Sequence, residues 1–316
     1  MHYQTKIQIK DAICNIGRFL YHLLYFADHS PRHNDYAMLR NLVLSLPREV
    51  KERYADECAY IENMPIDKIQ TMTFPYPIAS GKVEATGIEV HREKGLPYVI
   101  HGKKGKLFFP RGTSTPYVAY GYHCLVNEEG LLGSGVLAKS PHCYQDADFK
   151  LDDGEVLLDI GCAEAIFSLD NIDKVSKAYL FECMDIWRKP LQYTFAPYSN
   201  KVIMINKLVS DKTDEKSTTL MNVVKDEIAC DKHFFVKMDI EGWERVVLQG
   251  NVDFFTSAKV KLSCCVYHRQ DDAHVIDSIL KGMGYTTRFS EGYMLPIMNG
   301  IHYPYFRHGV IYAQNY

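Results

Sequence analysis

The chain has 316 residues, is 47% hydrophobic and 24% charged, and carries a formal net charge of −3. That apolar content supplies a sizeable core and excludes a disordered composition, while the length gives one core domain plus an accessory region. The near-neutral balance speaks against bulk nucleic-acid binding, which needs a basic surface. No run approaches the roughly 18–20 apolar residues that span a bilayer.

In chain order, residues 1–72 read as helical. Ile9, Ile13, Ile16, Leu20, Leu23 and Ala27 recur at three- and four-residue steps and form one apolar stripe, read as ordinary packing rather than a membrane face. A second helix is expected over Tyr36–Ser45, stopped at Pro47, and a third over Arg48–Glu62. Residues 73–139 change character. Glycines and prolines punctuate short β-prone runs, PYVIH, KLFFP and PYVAYGYHCLV, which reads as a small β-rich region.

Residues 140–316 alternate between the two periods. Strands are expected at Val156–Ile160, Ala178–Phe181, Lys201–Asn206, Phe234–Met238 and Val260–Val266. Helices are expected at Glu164–Asn171, Asp185–Phe195, Trp243–Gln249 and Asp271–Met283. Such alternation gives a doubly wound, mostly parallel α/β sheet of Rossmann-like type. Two further strands, Tyr285–Phe289 and Gly309–Ala313, bring it to seven, the last running antiparallel.

Nine cysteines are scattered along the chain with no C-x-x-C pair and no zinc-like spacing. Several lie in apolar runs (Cys264 and Cys265 in LSCCVY, Cys124 in YHCLV), where cysteine behaves as a small buried hydrophobe. With no charged-then-apolar leader, the expectation is reduced thiols in a cytoplasmic protein.

Two segments carry the chemistry. In EVLLDIGCAEAIFSL an apolar strand ends in Asp159, followed by Gly161 and a helix, so this turn faces the crevice at the carboxyl ends of the strands. A dinucleotide needs several glycines for its pyrophosphate to approach the backbone. One glycine with small neighbours, Cys162 and Ala163, leans instead toward a nucleoside without phosphates. Glu182 closes the second strand, where one carboxylate can accept both ribose hydroxyls, and Asp211 follows the third, placed to accept from an adenine amino group. Singly, each acid also reads as a helix cap, a solvated strand end or a turn residue. Together, at three consecutive strand ends, they favour the nucleoside. The second segment, FFVKMDIEGWERVVLQG, sets Asp239, Glu241 and Glu244 after an apolar strand. Helix-dipole stabilisation explains Glu244 well but not acids that begin at the strand end.

These residues resemble the FkbM-like family of S-adenosylmethionine-dependent methyltransferases. The likeness rests on LLDIGCAEAIFSL, FECM, LVSD, KMDIEGWERVVLQG, the approach segment SPHCYQDADFKLDDGE and the HRQDD after the fifth strand, and covers about Ser140 to Tyr316. Such sequences usually carry Gly where Ala165 stands, and often Glu before the fifth-strand His, where this chain has Tyr267. The resemblance implies S-adenosylmethionine as cofactor and O-methylation of a sugar, glycan or other small-molecule hydroxyl, with no nucleic-acid partner. The expected base is His268, which lies past the fifth strand and titrates near neutrality, or else Asp239, acting directly or as ligand to a divalent cation. His142 and Tyr144 are expected to cover the methionine end of the cofactor. Arg307 and His308 are placed to reach substrate, and Tyr117, Tyr120, Tyr122, Tyr303, Tyr305 and Phe306 to stack on sugar rings or to pack the core. The alternatives are a non-catalytic nucleoside-binding module of the same fold, an amino-group methyltransferase (against which Ile240-Glu241-Gly242, without Pro-Pro, follows Asp239) and an NAD-dependent oxidoreductase.

Overall fold

A computed structural model describes residues 41, 43–63, 87–132, 140–294 and 306–316. The helix expected over Ile9–Ala27, the first part of the next, and Tyr303 and Tyr305 lie outside them. The chain forms two compact units, Met1–Met72 and Thr73–Tyr316. In the first, the expected third helix is two, α1 (Arg48–Arg53) and α2 (Ala55–Asn63), because Tyr54 between them leaves helical geometry at φ −121°, ψ 47°. Cys58 and Ile61 of α2 are buried.

The second unit opens with an antiparallel meander, β1 (His91–Glu93), β2 (Leu96–His101) and β3 (Gly105–Phe108). The run PYVAYGYHCLV, expected among the β elements, is helical instead, within α3 (Thr115–Glu128). Its aromatic and β-branched residues have strand propensity. However, Pro116 sits in the first turn, where its missing N–H costs nothing, and Val118, Ala119, Tyr122 and Val126 form one buried helical stripe. Tertiary burial overrides propensity here.

The seven-stranded sheet contains β4 (Val156–Ile160), β5 (Lys177–Phe181), β6 (Val202–Ile205), β9 (His233–Met238), β10 (Lys259–Cys265), β11 (Thr286–Phe289) and β12 (Val310–Gln314). A separate two-stranded ladder, β7 (Leu208–Val209) with β8 (Ser217–Thr218), precedes β9 in the chain. The order across the large sheet is β11-β12-β10-β9-β4-β5-β6. β4, β5, β6, β9 and β10 are parallel, while β12 lies between β10 and β11 and is antiparallel to both. The chain thus starts at the sheet centre, winds outward one way, returns, and winds outward the other way. The reversal puts a crevice beside β4 and β9.

The central strands are continuous apolar runs because both faces are covered. Alternate residues serve alternate layers. Leu157, Leu180, Phe235 and Cys265 pack with α3, α4 (Ile166–Asp170) and α5 (Asp185–Thr194), through Val126, Phe167, Trp187 and Leu191. Val156, Leu158, Phe234, Val236 and Leu262 pack against α6 (Leu220–Ala229), α7 (Glu244–Gly250), α8 (Val252–Ser257) and α9 (Asp272–Gly282). The fold is a doubly wound Rossmann-like α/β sandwich. The meander joins the first layer, as the Phe108 amide donates to Thr194 Oγ1 of α5 (3.0 Å). Among the described residues no helix is long and apolar enough to cross a membrane, and eight cysteines are free thiols.

Helices α6 and α8 escaped the sequence reading, and both meet at Asn251. Its Oδ1 accepts the Leu220 amide (2.7 Å) and its Nδ2 donates to the carbonyls of Ser210 (3.0 Å) and Val247 (2.9 Å), all buried. Asn251→Ala strands a buried amide and a buried carbonyl, so urea unfolding should read a loss of about 2–3 kcal/mol.

Candidate functional site

The parallel register sets Asp159 of β4 beside Lys237 of β9 on one face of the sheet. Both are buried, Asp159 to 0% exposure. Lys237 Nζ lies 3.2 Å from Asp159 Oδ1 and donates to the Gly161 carbonyl at 2.9 Å, while Ser168 donates to Asp159 Oδ2 at 2.6 Å. Burial disfavours the Lys237 ammonium, but Asp159, Asp239 and Glu129 outweigh it and raise its pKa. Asp159 is therefore spent inside the protein. It holds Lys237 and accepts from Ser168.

The turn after β4 is forced by its neighbours. Gly161 has φ +75°, and a Cβ there would stand 2.0 Å from the Asp239 carbonyl oxygen. The clearance read from the sequence as room for a nucleoside is taken up by the β9 backbone. Ala163 (φ 46°) and Ala165 (φ 58°) are left-handed as well, a region that costs a residue with a Cβ about 1–2 kcal/mol. Cys162, between them and Gly161, is buried against the first core layer.

Glu182, at the end of β5, meets this turn. Its Oε2 accepts the Ala163 amide (3.1 Å) and its Oε1 the Met184 amide (2.7 Å), leaving further lone pairs on both oxygens. Burial raises its pKa against those two donors. Asp211 lies just beyond β7. It is exposed, accepts from Ser210 Oγ (2.9 Å), and its backbone lies against Gly250 at the end of α7.

The second motif folds around Asp239, whose side chain is 21% exposed. Tyr144, itself buried, donates its hydroxyl to Asp239 Oδ2 at 2.8 Å, and His142 Nε2 lies 3.6 Å from the same oxygen. The Tyr144 ring lies 5.2 Å from Lys237 Nζ. Desolvation opposes ionisation of Asp239, yet hydrogen bonds from His142 and His268 and the charges of His268 and Lys237 hold its pKa well below the usual carboxylate range.

His268 differs from the sequence expectation. Its Nδ1 is 3.0 Å from Glu244 Oε1, and its Nε2 is 3.3 Å from Asp239 Oδ1 and 3.8 Å from Glu241 Oε2. Both ring nitrogens face carboxylates, and a neutral imidazole can donate only once. Burial lowers its pKa, but Glu244 and Asp239 dominate and raise it well above its ordinary value. Glu244, expected as a helix-dipole acid, is completely buried, accepts the Ile240 amide (3.0 Å) and serves as counter-ion to His268. Arg307 donates to the Tyr267 carbonyl (2.7 Å) and Phe289 stacks on His308 (4.0 Å), so both predicted substrate contacts have structural partners.

Two groups of side chains have the spacing to hold a cation, His142–Asp239–Cys265 and Asp239–Glu244–His268, each with ligand atoms within 4.8 Å of one another. The first group sets imidazole and thiol beside one carboxylate, unlike the oxygen-rich shell that magnesium or calcium prefers, while the second offers two carboxylates and one imidazole. A concavity lined by Phe149, Thr286, Arg288, Tyr312 and Tyr316 lies along the antiparallel strands and contains none of the crevice acids.

No family model matches the chain, and no curated protein does. Among solved structures, methyltransferase FkbM from Methylobacillus flagellatus is 21% identical at a TM-score of 0.41, covering 52% of this chain and 44% of that one. Precorrin-6y C5,15-methyltransferase from Geobacter metallireducens is 13% identical at 0.35, covering 53% and 82%. A Streptococcus pneumoniae protein classed as a tRNA methyltransferase, in complex with S-adenosyl-L-methionine, is 12% identical at 0.34, covering 52% and 68%. The chain spans less than half the length of the first of these, and no residue role is carried over from any of them.

Gly161→Ala combines a backbone clash with an unfavourable φ, so chemical denaturation should show a loss of about 3 kcal/mol or more. Glu164, buried at the same turn, has its pKa raised by burial from 4.5 to about 7. The folded state then holds a proton that the unfolded state releases, so this contribution to stability is complete below pH 4.5 and is lost as pH rises through about 7. Melting temperatures should fall across that window, and less steeply in Glu164→Gln.

Proposed function

We propose that the chain is an S-adenosylmethionine-dependent methyltransferase acting on a hydroxyl of a sugar, glycan or other small molecule. The observation that carries this reading is the Glu182 carboxylate at the end of β5, beside a β4 turn without phosphate-cradling glycines, in a doubly wound sheet closed by an antiparallel strand. The residues fit such a cofactor: Glu182 for the ribose hydroxyls, and an acid-rich crevice for a ligand bearing an ammonium and a sulfonium. Asp211 remains the adenine candidate only if the nucleoside reaches beyond β6.

When bound, S-adenosylmethionine supplies an activated methyl group, so that an oxygen nucleophile needs alignment and the removal of one proton. Asp239 is the group we assign to that proton. Its side chain is 21% exposed, the Tyr144 hydroxyl donates to its Oδ2, and His268 Nε2 lies 3.3 Å from its Oδ1. We assign His268, set between Glu244 and Asp239, as a positioning residue. It neutralises Glu244 and Asp239 and orients the carboxylate toward the acceptor.

Calorimetry should find micromolar or tighter S-adenosylmethionine affinity for the wild type. Glu182→Gln should weaken it by about tenfold or more, as expected for a hydrogen bond to a charged group. Asp239→Asn should lower kcat on a responsive hydroxyl acceptor by about 100-fold or more with cofactor affinity nearly intact. His268→Gln should lower kcat without removing the limb of the pH profile that a titrating base would give. Binding without turnover on any acceptor would favour the non-catalytic module, and binding of NAD alone would sink the reading.

A further inference from the structure

Donor atoms of three different kinds converge on the Asp239 carboxylate from separate stretches of the chain. His142 and Tyr144 precede β4, Asp239 follows β9, and Cys265 ends β10. The parallel register pairs Cys264 with Met238, so the next residues on each strand, Cys265 and Asp239, stand side by side at the carboxyl edge of the sheet. His142, Tyr144 and Cys265 are buried, and Asp239 keeps some exposure. With ligand residues at 142, 239 and 265, no local cysteine or histidine spacing in the sequence could have shown this cluster.

A metal ion held by nitrogen, oxygen and sulfur has bonds of about 2.0–2.3 Å, and tetrahedral geometry then sets those atoms roughly 3.3–3.6 Å apart. His142 Nε2 lies 3.6 Å from Asp239 Oδ2 and 3.7 Å from Cys265 Sγ, and one ligand atom from each residue falls within 4.8 Å of the others. The Tyr144 hydroxyl supplies a fourth corner, 2.8 Å from Oδ2, 3.3 Å from Nε2 and 3.7 Å from Sγ. Thiolate and imidazole are ligands for zinc and its neighbours rather than for magnesium or calcium, and tetrahedral sites with sulfur and nitrogen are those zinc fills.

We infer that His142, Asp239 and Cys265 bind a divalent ion of the zinc class, with the Tyr144 oxygen at the fourth position. This goes beyond the methyl-donor reading, because metal affinity requires no cofactor. On binding, the Cys265 S–H bond breaks, a sulfur–metal bond forms and the proton leaves to buffer. The neutral His142 ring gives its Nε2 lone pair and Asp239 binds through Oδ2, so thiolate and carboxylate together balance the divalent charge. Asp239 Oδ1 stays on the His268 side, 3.3 Å from Nε2.

Cobalt(II) is the probe, since it takes tetrahedral sites and reports thiolate ligation as a near-ultraviolet charge-transfer band beside intense visible bands. One equivalent added to the reduced, chelator-treated full chain should produce both, and zinc should abolish them where excess magnesium does not. Cys265→Ser should remove the charge-transfer band and weaken zinc binding by about 100-fold or more, and His142→Gln and Asp239→Asn should each weaken it at least about tenfold. Cys264→Ser alters an equally buried thiol one residue away, in the opposite layer of the core, and should leave band and affinity nearly unchanged. Thermal melts of the metal-free variants check that each folds; if Cys265→Ser does not, His142→Gln decides, and unchanged zinc affinity there overturns the site. No charge-transfer band in the wild type, or one that survives Cys265→Ser, would equally overturn it and leave the cluster a hydrogen-bond network around Asp239. Those results would not touch the methyl-donor reading, which stands or falls on S-adenosylmethionine affinity measured without metal.

Discussion

A lysine ammonium shut away from water needs an anion at contact distance, and β9 delivers Lys237 to just such a place. The register of the parallel sheet puts it beside Asp159 of β4, and the same ammonium ties down the Gly161 carbonyl. Removing either charge of a buried pair leaves the other uncompensated, a loss of about 3–5 kcal/mol. That pair determines the height at which β4 and β9 align, the course of the turn that meets Glu182, and the field felt by every other acid in the crevice.

Asp239 shows the complementary arrangement. Its two oxygens are divided between the Tyr144 hydroxyl and the His268 imidazolium, and His268 is in turn anchored on Glu244. The crevice thus has two electrostatic compartments. Around β9 and β10 the charges are paired and the carboxylate is ionised. Around the end of α3 and the β4 turn, acids crowd together and burial raises the pKa of Glu129 and Glu164.

The strands were legible because a parallel sheet covered on both faces writes continuous apolar runs, and Val156–Ile160 matches residue for residue. Asp159, Glu182 and Asp239 stood out because acids at strand ends break those runs. What could not be read was anything set by partners distant in sequence. Tyr117 to Val126 have strand-forming side chains, and only the burial of Val118, Tyr122 and Val126 makes them a helix. The charge on His268 depends on Glu244 lying 3.0 Å away, a distance that the spacing of 24 positions does not encode. The contacts of Asp159 were hidden for the same reason, since its partners Ser168 and Lys237 are supplied by other elements. Glu129 gave a faint signal, a pair of acids before a glycine in NEEG, which reads as a solvated helix end until its burial is known.

The left-handed alanines after β4 have a consequence for how this chain can change over generations. At Ala163 and Ala165 the backbone occupies a region that glycine enters freely, and alanine and glycine codons differ by a single base. Each site therefore sits one point mutation from a relaxed turn. Drift at these codons can exchange a stiff, pre-shaped rim for a pliant one while the sheet beneath is untouched, giving a lineage an inexpensive route to retune how firmly the crevice holds its ligand.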